Sequence, residues 1–218
     1  MKYRALISDL DGTLLNTLED LADSVNLALA HIGLPQHELD AYRYFVGDGR
    51  RAMALRSLPE DRRDEATLQL LITHIGEEYT KHWMDKTQPY EGVPELLDAL
   101  TSAGIRMAIL SNKPHSYTET MVSSLLPKWS FELVLGESPS TARKPDPAGA
   151  LHIVEQMNIK PEECLYIGDS GVDMQTAVAA NLYPIGVLWG FREADELLSN
   201  GARTLVEKPT DILQLLSD

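Results

Sequence analysis

The sequence contains little cysteine and little positive charge. Cys164 is the only cysteine among 218 residues, so no disulfide can form within the chain. This composition fits a reducing compartment, and we expect a cytoplasmic protein. Lys and Arg number 19 against 33 Asp and Glu, which gives a net charge of −14, and no segment is rich in Lys or Arg. Nucleic acids and anionic membranes are therefore not expected as partners, because both are bound through basic surfaces.

The sequence also lacks long apolar runs and clustered histidines. No stretch approaches the length of a membrane span, and the first apolar run ends at Asp9, too early for a signal peptide. The histidines are dispersed, with neither HxH nor HExxH spacing, which argues against a zinc site. They are His31, His37, His74, His82, His115 and His152. Hydrophobic residues make up 44% of the chain, which is enough for a substantial core.

The most informative segment present is Asp9-Leu10-Asp11-Gly12-Thr13-Leu14, which follows the apolar run Ala5-Leu6-Ile7. If that run is a strand, both aspartates can line the crevice in which open α/β sheets bind ligands. Gly12 permits a tight bend that would bring backbone N–H groups close to an anion. One aspartate could attack phosphorus while the other transfers a proton. The segment alone is also typical of a strand end followed by an Asp-Gly turn.

Three further polar motifs follow or adjoin predicted strands. They are Ser111-Asn112 after 107–110, Lys144-Pro145-Asp146, and Gly168-Asp169-Ser170-Gly171-Val172-Asp173 after 165–167. Each alone is more typical of a turn, a surface lysine or the first turn of a helix. Together and in this order, the four motifs resemble those of the haloacid dehalogenase-like phosphohydrolases, over about the whole chain. The resemblance implies a doubly wound, Rossmann-like α/β core with an inserted helical cap.

The hydrophobic spacing independently predicts an inserted helical domain. Between Thr17 and roughly Asp85 the pattern is almost entirely helical, beginning with a stripe at Leu18, Leu21, Ala22, Val25 and Leu29. We expect further helices at 38–45, 50–57 and 62–83, and therefore a cap domain at 16–85 and a core domain at 1–15 and 86–218. From residue 89 onward strands and helices alternate, which predicts a parallel sheet. The expected strands are 106–110, 131–135, 165–168, 184–188 and 204–206, and a last helix is expected at 211–216.

Phosphoryl transfer to a carboxylate brings two anions together. At about 4 Å and an effective dielectric constant near 20, two unit charges repel each other by roughly 4 kcal/mol, which a divalent cation would offset. The resemblance assigns Mg²⁺ to Asp9, the backbone carbonyl of Asp11 and Asp169. It places Asp173 in the outer shell or on a metal-bound water.

The chemistry we infer is covalent. Asp9 would form an aspartyl phosphate, and Asp11 would protonate the leaving alcohol and then deprotonate the hydrolytic water. Phosphate oxygens would be bound by Gly12, Thr13, Ser111 and the Asn112 backbone N–H. Lys144 would neutralise charge in the transition state.

Several functional alternatives stay open within the family. The second aspartate, Asp11, argues against a true dehalogenase and favours a phosphatase acting on a small phosphate ester. Segments 9–26, 45–50 and 187–190 look most like phosphoglycolate phosphatases. A β-phosphoglucomutase-like phosphotransferase is the nearest alternative. A non-catalytic phosphate-binding protein of the same fold is another, and it is disfavoured because the reactive residues are present. Both a monomer and a homodimer are compatible with the sequence.

Substrate selectivity is expected to reside in the cap. Gly47-Asp48-Gly49-Arg50 is predicted to be a loop between helices that could offer backbone N–H groups. Arg50 or Arg51 could pair with a substrate carboxylate through a bidentate fork. Equally, both arginines could be solvated residues in the first turn of the next helix.

Overall fold

The computed structural model describes residues 2–216, which divide into two compact units. One unit is formed by Asn16–Gln88, and the other by the rest of the described chain, up to Leu15 and from Pro89 onward. None of the helices in the described part of the chain is long and apolar enough to cross a membrane.

The larger unit is built on a six-stranded sheet. The strands of the chain are β1 (Ala5–Ser8), β2 (Leu15–Asn16), β3 (Gln88–Pro89), β4 (Arg106–Pro114), β5 (Leu133–Glu137), β6 (Cys164–Gly168), β7 (Tyr183–Val187) and β8 (Thr204–Val206). The sheet order is β5-β4-β1-β6-β7-β8, every pairing is parallel, and β2 pairs separately with β3. The predicted α/β class with a parallel sheet is thus confirmed.

Helices occupy most of the remaining chain. In the inserted unit they are α1 (Leu18–His31), α2 (Leu39–Phe45), α3 (Gly49–Ser57) and α4 (Glu65–His82). In the larger unit they are α5 (Val93–Ser102), α6 (His115–Leu125), α7 (Ala148–Gln156), α8 (Gly171–Ala179) and α9 (Ala194–Ser199). The predicted α-helix at 211–216 is instead part of a 3₁₀ helix, Pro209–Leu216.

Two element boundaries differ from the predicted ones for identifiable reasons. The helix expected from residue 62 starts at Glu65, because the Asp64 carboxylate accepts the Thr67 N–H at 3.0 Å and caps the helix there. Strand β4 continues past the expected end at residue 110, and Pro114 pairs with Glu137 of β5 after a register irregularity. Ser111, Asn112 and Lys113 therefore belong to the end of a strand.

The cores of the two units follow the hydrophobic pattern. All five residues of the predicted α1 stripe are buried, and α1 packs on α4, whose Leu68, Leu71 and Ile75 are also buried. In the larger unit, β1 is buried along its whole length at the centre of the sheet. Cys164 of β6 lies in the same core as Ala5, Ile7 and Ala150, so it acts as a small apolar side chain.

Candidate active site

The sheet register brings the predicted motifs to one edge. Ser8, the last residue of β1, is aligned with Ile109 of β4 and with Ile167 of β6. Because the three strands run parallel, the residues that follow them emerge at the same carboxyl edge. Asp9, Ser111 and Asp169 therefore lie at this edge although they are distant in sequence.

Lys144 joins two of the predicted aspartates. Its Nζ lies 2.9 Å from Oδ1 of Asp9 and 2.7 Å from Oδ1 of Asp173, and its side chain is almost fully buried. The Asn112 side chain holds the Lys144 backbone from both sides: Oδ1 accepts the Lys144 N–H at 2.8 Å, and Nδ2 donates to the Lys144 carbonyl at 3.1 Å. The sequence motif did not reveal this role of the Asn112 side chain.

Asp173 is committed to hydrogen bonds on both oxygens. Oδ1 accepts from Lys144 and, at 3.3 Å, from the hydroxyl of Tyr166 on β6. Oδ2 accepts the Ser170 N–H at 3.1 Å and the Ser170 hydroxyl at 2.5 Å, so Asp173 also closes the first turn of α8. Tyr166 is fully buried, and sequence reasoning had treated it only as part of an apolar run.

Two glycines enclose Asp169. Gly12 has a φ of +82°, and a Cβ there would lie 2.3 Å from Oδ2 of Asp169. A Cβ at Gly190 would lie 2.2 Å from the Asp169 Cβ. The carboxylate accepts the Phe191 N–H at 2.8 Å and the Thr13 hydroxyl at 3.3 Å. The absence of both side chains is what allows the Asp169 carboxylate to come so close to the backbone.

The backbone N–H groups of the turn around Gly12 donate hydrogen bonds within the turn itself. The Gly12 N–H donates to the Leu15 carbonyl at 2.9 Å, and the Thr13 N–H to the Leu10 carbonyl at 3.3 Å. These two N–H groups thus bond within the turn, and both residues also accommodate Asp169. Binding of phosphate oxygens by Gly12 and Thr13 stays a prediction. Trp189 fastens the same turn, because its Nε1 donates to the Thr13 carbonyl at 2.9 Å.

The site carries an excess of buried negative charge. Burial raises the pKa of Asp9 to about 7, with Lys144 lowering it and Asp173 and Asp11 raising it further. Burial, together with the charges of Asp173 and Asp9, also raises the pKa of Asp169 well above its ordinary value. Oxygens of Asp9, Asp169 and Asp173 all lie within 4.8 Å of one another. Several converging carboxylate oxygens form a donor set that fits a hard divalent cation.

A second lysine, Lys113, was missed by sequence reasoning. Its Nζ lies 3.0 and 3.1 Å from the two carboxylate oxygens of Asp11. The Ser111 hydroxyl accepts the Lys113 N–H at 3.2 Å, so Ser111 lies at the predicted edge and also supports this lysine. The sequence contains one indication of this residue, which is that Lys113 directly follows the Ser111-Asn112 motif.

The glycine loop of the inserted unit is tied to its neighbouring helices. Gly47 and Gly49 have φ values of +117° and +83°, and Asp48 between them forms an ion pair with Arg56 of α3. Arg56 also donates to the Phe45 carbonyl at 3.2 Å. Both candidate arginines lie in the first turn of α3, but their contacts differ. Arg51 forms a two-pronged ion pair with Glu65 at 2.9 and 2.7 Å, whereas the Arg50 guanidinium lies beside Gly76 of α4.

Comparisons with known proteins identify the family of the chain. The family model of the haloacid dehalogenase-like hydrolases matches residues 6–187. A phosphoglycolate phosphatase of Thiobacillus denitrificans is 34% identical over 88% of this chain and 86% of its own. One from Psychrobacter arcticus is 32% identical over 90% and 88%, respectively. A crystal structure from Lactobacillus delbrueckii subsp. bulgaricus, provisionally assigned to the phosphoglycolate phosphatases, superposes with a TM-score of 0.92 at 28% identity and covers 99% of both chains.

Proposed function

The chain belongs to the haloacid dehalogenase-like hydrolase family, in the branch that contains phosphoglycolate phosphatases, and from this we propose that it is a Mg²⁺-dependent phosphatase of a small phosphomonoester such as phosphoglycolate. The observation that carries the proposal is the position of Asp9. It lies buried beside the Lys144 ammonium and within a cluster of carboxylates that fits a divalent cation.

Asp9 and Asp169 would hold the cation, together with the backbone carbonyl of Asp11. Asp173 would act from the outer shell, because both its oxygens already accept hydrogen bonds. When bound, Mg²⁺ would neutralise phosphate charge and so let an anionic carboxylate approach. Lys113 and Lys144 pair with three of the four carboxylates of Asp9, Asp11, Asp169 and Asp173, and Arg192 acts on Asp169. Four carboxylates near three cations would still favour a bound divalent cation.

In the first step a carboxylate oxygen of Asp9 attacks phosphorus. The bond between phosphorus and the ester oxygen breaks as the Asp11 carboxylic acid gives its proton to that leaving oxygen. In the second step the Asp11 carboxylate takes a proton from a water that attacks the aspartyl phosphate. The phosphorus–Asp9 bond breaks, which releases inorganic phosphate and restores the Asp9 carboxylate. Lys144 stabilises the charge that develops on Asp9 and the transferring group.

Asp9→Asn tests the nucleophile. The substitution keeps the volume but removes the attacking carboxylate, so turnover of phosphoglycolate and of p-nitrophenyl phosphate should fall below detection with an unchanged far-UV CD spectrum. Asp195→Asn, at an exposed position of α9, serves as the control and should keep full activity. Turnover by pure, sequence-verified Asp9→Asn protein would disprove the covalent mechanism.

Asp11→Asn tests the proton transfer. Loss of the acid should slow esters with poor leaving groups, such as alkyl phosphates, by about 10²-fold or more, and slow p-nitrophenyl phosphate much less. Equal losses on both substrates would argue that Asp11 is not the acid.

The metal requirement is tested by exchanging the cation. Mn²⁺ should partly replace Mg²⁺, whereas Ca²⁺ should inhibit, because the larger and looser coordination shell of Ca²⁺ would misplace the reacting groups. Full activity in excess chelator would contradict the metal requirement.

We also propose that Gly47 and Arg50 contribute to recognition of the non-phosphate part of the substrate. Arg50 is preferred over Arg51 because Arg51 already pairs with Glu65. Arg50→Ala should raise KM for phosphoglycolate much more than KM for p-nitrophenyl phosphate, which has no carboxylate. Arg51→Ala is the matched control and should change neither KM by more than about twofold. Equal effects of Arg50→Ala on both substrates would contradict carboxylate recognition.

A further inference from the structure

Lys113 and Asp11 form a buried ion pair in which the ammonium contacts both carboxylate oxygens. The ammonium lies almost equally far from both carboxylate oxygens, at 3.0 and 3.1 Å. The Lys113 side chain is 4% exposed and the Asp11 side chain 13% exposed. Bringing an ammonium group out of water is costly, and buried ion pairs seldom contribute net stability. Stability alone is therefore a weak explanation for a lysine at this position.

The backbone of Lys113 is fixed on several sides. Its N–H donates to the Ser111 hydroxyl at 3.2 Å, and its carbonyl accepts the Thr118 hydroxyl of α6 at 3.3 Å. On the β5 side Gly136 comes close to this backbone, since a Cβ at Gly136 would lie 2.7 Å from the Lys113 carbonyl oxygen. The ammonium thus reaches Asp11 from a strand end whose backbone is held by hydrogen bonds and close packing.

The two buried lysines of the site serve different carboxylates. Lys144 contacts Asp9 and Asp173, whereas Lys113 contacts Asp11. Without a cation of its own, the Asp11 carboxylate would be pushed outward by the negative charge of Asp9 and its neighbours. A charged partner on both oxygens opposes that displacement and fixes the orientation of the carboxyl group.

We propose that Lys113 is a positioning residue, which holds the Asp11 carboxyl group where it can exchange a proton with the leaving oxygen. The inference rests on the proposed phosphatase activity and adds a residue that acts through Asp11 without touching the reacting atoms. Proton transfer requires hydrogen-bond reach, so a displaced carboxyl group would act more slowly even though it is still present.

The test is a double-mutant cycle on two substrates, an alkyl phosphate and p-nitrophenyl phosphate, after the wild-type activity has been measured. Lys113→Met keeps an unbranched side chain one atom shorter and removes the charge. It should lower kcat for the alkyl phosphate by about tenfold or more, lower it less for p-nitrophenyl phosphate, and leave KM nearly unchanged. In an Asp11→Asn background the same substitution should cause no further loss. Lys113→Arg keeps a cation and N–H donors beside Asp11 and should recover part of kcat.

A loss from Lys113→Met that persists undiminished in the Asp11→Asn background would overturn the proposal, as would a rise in KM of equal size for both substrates. Either result would mean that Lys113 acts on the phosphate itself. If Lys113→Met does not fold, Lys113→Arg is compared in the wild-type and the Asp11→Asn protein. Its effect on kcat should also vanish when residue 11 is asparagine. These outcomes all presuppose an active wild type, so an inactive wild type would instead refute the proposed function.

Discussion

Gly190 faces Asp169 across a space that no methyl group can enter. A Cβ there would lie 2.2 Å from the Asp169 Cβ and 2.5 Å from the Gly12 carbonyl oxygen, so Gly190→Ala must displace the carboxylate or the backbone. We expect a loss of about 1–3 kcal/mol in the free energy of unfolding and at least a tenfold weaker apparent affinity for Mg²⁺, measured by activity titration.

Gly76→Ala adds the same methyl group where there is room for it. Gly76 lies within α4, and its Cβ would meet only the Arg50 guanidinium, at 3.8 Å. Alanine favours a helix interior over glycine by about 0.5–1 kcal/mol, so this variant should be slightly more stable and equally active. A Gly190→Ala enzyme with normal Mg²⁺ dependence would show that the close approach of Gly190 to Asp169 has no functional importance.

Some residues of the site could be predicted from the sequence, and others could not. Asp9 and Asp169 directly follow predicted strands, and parallel strands deliver such residues to one edge. Lys144 lies in the loop after β5 and was predicted from the order of the motifs. Lys113 could not be chosen in this way, because its partner Asp11 is 102 positions away and nothing in the local sequence distinguishes a buried lysine from a solvated one. Tyr166 and Gly190 escaped notice for the same reason, since their importance depends on which side chains face them.

At the scale of elements, Asp20 of α1 binds the backbone of Lys86 and Thr87, near the end of the inserted unit. The buried carboxylate accepts the Lys86 N–H at 3.1 Å, the Thr87 N–H at 2.8 Å and the Thr87 hydroxyl at 2.7 Å. Asp20→Ala would leave these donors unpaired, so we expect the free energy of unfolding to fall by about 1–3 kcal/mol in urea titrations.

Asp23 provides the matched control for Asp20. It lies one turn further along α1 and forms an ion pair with the Lys86 ammonium at 2.8 Å, with about half of each side chain exposed. Asp23→Ala should therefore change stability by no more than about 1 kcal/mol. Equal losses for the two variants would mean that the backbone contacts of Asp20 contribute little.

Periodicity predicted the existence of the elements better than their ends. The stripe on α1 and the alternation after residue 89 reflect burial on one face, which the sequence encodes directly. The end of β4 depends on pairing with β5 beyond an irregularity, and that partner is not visible from residues 106–114 alone. Tertiary pairing thus decides where an element stops.

At the scale of the whole molecule, the aspartate cluster couples stability to pH and to metal. The pKa of Asp9 is raised to about 7 and that of Asp169 is also raised, so these two groups keep their protons in the folded metal-free protein at pH values where they have lost them in the unfolded chain. The stabilising contribution of these protons is complete below the ordinary carboxyl pKa and is lost as pH rises through about 7. A cation bound by these carboxylates would replace the protons.

We therefore expect Mg²⁺ to raise Tm more at about pH 8 than at about pH 6, because metal binding at the lower pH must displace protons. Differential scanning fluorimetry with and without Mg²⁺ measures this difference. Asp9→Asn removes one of the titrating ligands, so both the shift and its pH dependence should become smaller. A larger Mg²⁺ shift at the lower pH would contradict the assignment of the cluster as a metal site.

The central position of β1 has a consequence for how the chain is made. Its partners are residues 106–109 and 164–167, so β1 leaves the ribosome long before they do. The first partner, β4, follows after about 100 residues, and the second, β6, completes the pairing only when residue 167 has been made. Until then the apolar segment Ala5–Ser8 has no sheet to join. The inserted helices, which form a compact unit of their own within Asn16–Gln88, are synthesised during that interval. The long separation of β1 from its partners makes sheet assembly a late event, and the newly made chain is most prone to aggregate through β1 before residue 168 has been added.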